Sequence, residues 1–203
     1  MTEELIRAVT LAETPAQMVT AVQNLAAAKD PAAIPTLIAV FGYNNPAAAV
    51  VAVAALTELG EIAVPQLLEQ IDDYNYGARA YSIRTLAAIA DPRALDVLIT
   101  TAATDFAPSV RRAAAKGLGN LNWSNLGFPE SQTAINRALD TLLLICQDTD
   151  WSIRYAAIVG LQALAKIAEV RETILTLFQE MLANDAEKSV RARIQLAYTN
   201  CGF

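Results

Sequence analysis

One ten-residue pattern occurs twice in this chain. Ser109-Val110-Arg111-x-Ala113-Ala114-x-x-Gly117-Leu118 returns 43 residues on as Ser152-Ile153-Arg154-x-Ala156-Ala157-x-x-Gly160-Leu161. Weaker copies begin at Ala78-Arg79 and at Val190-Arg191. Helix-like segments that recur every ~30–45 residues are the mark of a stacked helical-pair solenoid, in which each repeat buries its apolar face against its neighbours. The breaks between segments define the pairs. Thr14-Pro15 opens a helix to about Lys29, Asp30-Pro31 another through Phe41, and Asn45-Pro46 a third ending near Gly60. Proline in a first turn forfeits no hydrogen bond, so each junction is a good helix start. Further helices are predicted over 62–71, 76–90, 92–103, 107–120, 132–147, 151–168, 170–183 and 186–200, after a short first one at 3–11. That makes about six pairs. A single repeat domain, residues 1–203, is expected, with a loop insertion at about 120–131 that is too rich in Asn, Gly and Pro to stay helical.

Composition narrows the function. The chain has no histidine, which removes Ser-His and Cys-His catalytic pairs, and its two cysteines, Cys146 and Cys201, provide neither a zinc spacing nor a disulfide framework. Cys146 follows Leu142-Leu143-Leu144-Ile145 and reads as a core residue; nothing near Cys201 depresses its pKa. A net charge of −6 argues against nucleic acid, whose binding relies on neutralising phosphates. The mean hydropathy of +0.31 is high. No apolar run nears the ~18–20 residues of a membrane span. Surplus apolar surface therefore points to a protein partner. The start, Met1-Thr2-Glu3-Glu4-Leu5-Ile6-Arg7, lacks a secretory pattern, and a cytoplasmic protein is expected.

A second regularity runs through the repeats. Asp73/Arg79, Asp105/Arg111, Asp148/Arg154 and Asp185/Arg191 are each six apart. The Asp falls in the turn entering the second helix of a pair and the Arg about one and a half turns inside it. Stacking lets such an Arg bond the turn carboxylate of its own or the next repeat, a ladder of charge-assisted contacts. Anion binding is the other reading, but a binding site would not be copied into every repeat.

Asp105, Ser109-Val110-Arg111-x-Ala113-Ala114, Gly117-Leu118 and Asp91-Pro92-Arg93-Ala94-Leu95 resemble the short HEAT-like repeat of phycobilisome lyases. The Tyr74-Asn75-Tyr76-Gly77-Ala78-Arg79-Ala80-Tyr81-Ser82-Ile83-Arg84 segment and the length look most similar to the F-type (beta) subunits of the E/F-type phycocyanobilin lyases. The resemblance implies an all-α, right-handed solenoid of about six HEAT-like helical pairs. It also implies an E-type (alpha) subunit as heterodimeric partner. The implied reaction joins phycocyanobilin, as substrate, by a thioether to a cysteine of the apo-phycocyanin alpha subunit, with no permanently bound cofactor. Related isomerising lyases carry an Asn-His-Cys-Gln-Gly-Asn motif. Without histidine that motif is absent here, and plain attachment or transfer is expected. A non-catalytic HEAT-like scaffold for phycobiliproteins or another partner is the alternative, and a helical-repeat adaptor unrelated to bilins a third.

A bilin lyase must hold an extended tetrapyrrole, present one face and help protonate it, and positioning alone supplies much of such a step. Arg112 and Lys116 lie four apart on one helix face, one and five places after the ladder arginine. Arg84 stands five places after Arg79, and Tyr155 one after Arg154, so stacking is expected to gather all four into one column that could bind propionates. The same column also reads as a solvated helix face. Tyr76 and Trp151 share a position three before the ladder arginine, with Tyr81 near the first. These aromatics could face the pyrroles or pack under their turns. Trp123, with Phe128, is a further aromatic candidate in the insertion, or the two merely pin the loop to the core. Asp150 and Asp72 are the candidate acids, since neither is needed by the ladder, though each could instead cap its helix.

Overall fold

The computed structural model describes residues 1–71 and 74–201, with no side-chain description at 200 and 201. Asp72, Asp73 and Cys201 therefore lie outside what is described of side chains, and the first two outside the described residues altogether. Twelve α-helices and no strand occur among the described residues. The chain divides into two compact units, Met1–Asp91 and Pro92–Phe203.

The first unit holds α1 (Thr2–Thr10), α2 (Pro15–Ala27), α3 (Ile34–Ala39), α4 (Pro46–Leu59), α5 (Val64–Glu69) and α6 (Tyr76–Ile89). Its second helices, α2, α4 and α6, pack side by side, and α1, α3 and α5 each pair with the helix that follows. The helix starts come from their caps. Thr14 and Gln17 form a reciprocal capping box at α2, Asn45 accepts from Ala48 N–H at α4, and Asn75 from Gly77 and Ala78 N–H at α6. Asn45 also donates to the Pro15 carbonyl at 3.0 Å, tying two neighbouring helix starts together.

Where the sequence predicts continuous helices from Asp30-Pro31 and over 62–71, the chain runs through 3₁₀ turns, Pro31–Ala33 and Gly60–Ala63, before α3 and α5 begin. Pro35 and Pro65 explain the delay: each sits at the second residue of its α-helix, where its missing N–H costs nothing. The stretch Pro46–Glu69 is long and apolar enough to cross a membrane by length and composition, longer than the sequence reading allowed. Gly60 at φ 71° breaks it in two, and Ala48, Ala52, Leu56, Val64 and Leu67 are fully buried in the core.

The second unit holds α7 (Leu95–Thr104), α8 (Pro108–Leu118), α9 (Glu130–Ile145), α10 (Trp151–Leu164), α11 (Ala168–Asn184) and α12 (Lys188–Cys201). Here α8, α10 and α12 stack side by side while α7, α9 and α11 pair with them. The decamer's second glycine, Gly160, has a packing reason: a Cβ there would lie 2.4 Å from the Ala115 carbonyl oxygen of α8. A Cβ on Gly119 would meet the Gly160 carbonyl at 1.9 Å, so the two backbones pack in direct contact.

The arginine ladder acts between repeats. Arg154 donates through Nε and Nη2 to both oxygens of Asp185, at 2.8 and 2.9 Å, and through Nη1 to the Asp148 carbonyl of its own turn at 2.9 Å. Arg111 donates to Asp148 Oδ2 at 2.6 Å, and Arg191 to the Asp185 carbonyl. The carboxylate thus goes to the preceding repeat's arginine, and the backbone carbonyl to the arginine of its own. Asp105, Asp148 and Asp185 each also accept an N–H from two residues on, which fixes the turn.

Candidate bilin-binding groove

One groove of about 650 Å³ opens on the second unit, lined by residues of α8, α10 and α12. Arg112, Lys116, Trp151, Ser152, Tyr155 and Ser189 line it. Four of these belong to the predicted site, and each reaches the groove by its register. Counted from the ladder arginine of its own helix, Arg112 and Tyr155 are at the first place after, Lys116 at the fifth after and Trp151 at the third before. Ladder and groove therefore occupy adjoining faces of the same helices.

Trp151 opens α10 and remains 46% exposed, so it does not pack under its turn. Arg112 donates from Nη1 to Ser152 Oγ at 3.0 Å. Lys116 is exposed and forms no ion pair among the described residues. Asp150 caps α10, accepting the Ser152 N–H at 2.8 Å. The Ser152 hydroxyl and N–H hold the Asp150 carboxyl below the usual range against the opposing effect of burial, with a lesser contribution from the Arg112 charge. It is an anion at neutral pH. Cys146 is buried in the core and desolvation pushes its thiol up to about 12, which removes it as a nucleophile.

The remaining candidates lie elsewhere in the chain. Tyr76, Tyr81 and Arg84 belong to α6 of the first unit. Tyr76 is 60% exposed at its helix start. Tyr81 stacks on Phe41 with ring centroids 5.6 Å apart, and the Arg84 guanidinium lies 5.7 Å from its centroid. Trp123 is half-buried at the start of a 3₁₀ turn, Trp123–Asn125, and is not among the groove-lining residues. Phe128, read from the sequence as an anchor of the loop, is 88% exposed and pins nothing; Leu121 is the buried residue there.

Ser152 and Ser189 escaped the sequence reading although a signal existed. Both stand two before a ladder arginine, as Ser109 does, inside the repeated pattern itself. A groove with an exposed indole, a phenol and two cations is chemically matched to a flat conjugated molecule that bears carboxylates, and its volume is that of a small-molecule site.

HEAT-repeat models match residues 64–133 and 138–168. The phycocyanobilin lyase subunit beta of Nostoc sp. PCC 7120 is 73% identical over 197 residues, covering 97% of this chain and 98% of the relative. The chain belongs to the phycocyanobilin lyase beta-subunit family. A second member, the phycocyanin alpha phycocyanobilin lyase CpcF of Synechocystis sp. PCC 6803, is 47% identical over 98% of this chain and 94% of its own length. Among solved structures, the complex of CpcE and CpcF of phycocyanin lyase from Nostoc sp. PCC 7120 contains a chain that superposes with a TM-score of 0.81 at 75% identity, over 83% of this chain and 99% of that one. The all-α HEAT-like fold read from the repeat is thus the fold of the family.

Proposed function

We propose that this chain is the beta subunit of a heterodimeric bilin lyase that, with an E-type alpha subunit, attaches or transfers phycocyanobilin to a cysteine of the phycocyanin alpha subunit. The observation that carries this reading is 73% identity across nearly the whole length of a phycocyanobilin lyase beta subunit. The bond formed is a thioether. The acceptor thiol adds across the exocyclic ethylidene double bond, sulfur to the ethylidene carbon and the proton to its ring-side neighbour, so nothing is oxidised and nothing leaves. The acceptor supplies the nucleophile, which fits a chain with an inert Cys146.

In this reading Arg112 and Lys116 receive propionates, and Trp151 and Tyr155 lie against the pyrroles. Asp150, already ionised, serves as the carboxylate that orients ring N–H groups and stabilises the protonated bilin, rather than as a proton donor. Asp72, outside the described residues, is the second candidate acid. Tyr76, Tyr81, Arg84 and Trp123 are proposed as further bilin contacts. The chain is further taken to act as one domain over 1–203, in the cytoplasm, with the bilin as substrate and no permanently bound cofactor.

Reconstitution tests the reading. This chain, an E-type subunit, phycocyanobilin and apo-phycocyanin alpha subunit are mixed, and absorption and zinc-stained denaturing gels are recorded with each component omitted in turn. A covalent, correctly absorbing product only when both lyase subunits are present is the expected result. Attachment that does not depend on this chain would leave a HEAT-like scaffold and defeat the lyase reading.

A further inference from the structure

The repeat breaks its own rule once beside the groove. Two places after the ladder arginine, α8 carries Ala113 and α10 carries Ala156, whereas α12 carries Arg193. Stacking in this unit asks only for alanine there. Arg193 is nevertheless 8% exposed, and among the described residues it pairs with no carboxylate. Its Nη2 donates to Gln162 Oε1, its Nη1 has no hydrogen-bond partner, and its Cζ lies 5.9 Å from the centroid of the Tyr155 ring. A buried guanidinium held by a neutral amide and a ring face is costly, and a large residue replaces alanine there only to do something besides stacking.

We infer that Arg193 is a positioning residue of the bilin site, fixing the Tyr155 ring against which the tetrapyrrole lies. The inference rests on the lyase reading. Tyr155 lines the groove and Arg193 does not, so the guanidinium acts through the ring. Cation–ring attraction sets the ring's plane, and the charge, paired with no carboxylate among the described residues, adds positive potential for a substrate that carries two carboxylates. Gln162, two turns along α10 from Tyr155, holds the other side of the guanidinium and keeps it from swinging away.

The test uses the complex of this chain with its E-type subunit, titrated with phycocyanobilin before any acceptor is added. Arg193→Met keeps the stem and removes the charge; Arg193→Ala restores what the sister repeats carry and guards against a misfolded first variant. Both are expected to bind phycocyanobilin about three- to tenfold more weakly, with a broadened red absorption band, while Arg193→Lys recovers most of the loss. In a Tyr155→Ala background the same substitutions should have no further effect, because the ring they act through is gone. Binding and band shape equal to wild type in Arg193→Met and Arg193→Ala would overturn the inference and leave the lyase reading intact. An undiminished loss in the Tyr155→Ala background would also overturn it, as a merely structural role predicts. Absence of bilin binding by the wild-type complex would overturn the lyase reading and this inference together.

Discussion

The ladder face and the groove face of the second unit share α8, whose adjacent arginines, Arg111 and Arg112, do opposite things. On the ladder face, Arg111 and Arg154 are half-buried and saturated by carboxylates and carbonyls of neighbouring turns. On the groove face, Arg112 donates to a serine hydroxyl, and among the described residues neither Arg112 nor Lys116 forms an ion pair. Charge that is repeated and satisfied belongs to the scaffold. Charge that is neither is free for a ligand. The contrast predicts that ladder substitutions change stability and groove substitutions change chemistry.

Arg154→Ala is the hardest blow to the ladder. It strands Asp185, whose side chain is 6% exposed, and removes a bidentate pair and a carbonyl contact at once. A loss of about 3 kcal/mol is expected, as for removing one partner of a buried pair. Thermal unfolding should fall by roughly 6–12 °C in a chain of this size. Arg112→Ala, one helix away and one position on, should shift the melting temperature little. Equal destabilisation by the two variants would erase the distinction between the faces.

The converse experiment comes next in size. Arg112→Ala with Lys116→Ala removes two propionate partners and is expected to lower kcat/KM for bilin attachment by about ten- to a hundredfold, the range of charge-assisted hydrogen bonds. Trp151→Ala should act in the same direction with an unchanged melting temperature. Unimpaired attachment in all of these variants would move the site off this groove.

Much of this was legible beforehand because its causes are local. Thr14-Pro15, Asn45-Pro46 and Asn75-Tyr76 place helix starts through caps that one turn of sequence specifies, and the predicted helices agree with the observed ones to within a few residues. The groove's cations were legible for a similar reason, since equal offsets from a repeated arginine put side chains on one face. What was hidden depends on distances between helices. That the Asp185 carboxylate serves Arg154, leaving only its backbone carbonyl to Arg191, follows from the offset between α10 and α12, which no single repeat encodes. Arg193 was missed on the same ground: its meaning lies in Tyr155, which belongs to the neighbouring repeat. Phe128 was misjudged because an aromatic in a loop reads as an anchor, whereas here Leu121 takes the buried place.

The ladder also titrates. Arg154 bonding holds the Asp185 carboxyl below its usual range despite an opposing desolvation. A depressed native pKa stabilises the fold fully above the unfolded value, about 4 for Asp, and that stabilisation is lost as pH falls through the lower native value. Melting temperature should therefore hold from neutral pH to about pH 5 and then decline. Asp185→Asn should start lower and decline less steeply over the acid range. Parallel acid profiles would show that Asp185 is not a source of the pH dependence.

Ser152 is where the two faces meet, and its removal gives the smallest effect and the finest distinction. Asp148 links the ladder to Asp150 N–H, Asp150 holds Ser152, and Ser152 Oγ accepts from Arg112 at the groove. Ser152→Ala keeps the backbone N–H that caps α10 and deletes only the hydroxyl. Stability should fall by about 0.5–1.5 kcal/mol, the worth of an ordinary hydrogen bond. The Asp150 carboxyl should titrate at higher pH than in the wild type, because the hydroxyl is the largest cause of its depression. Carboxyl NMR titration reads that shift directly. Ser189→Ala, at the same register in the next repeat, supplies the control: Ser189 lines the groove but has no side-chain hydrogen bond among the described residues, so neither stability nor any carboxyl should respond. If Asp150 titrates identically in wild type and Ser152→Ala, the two faces are independent, and the groove's electrostatics owe nothing to the ladder beneath it.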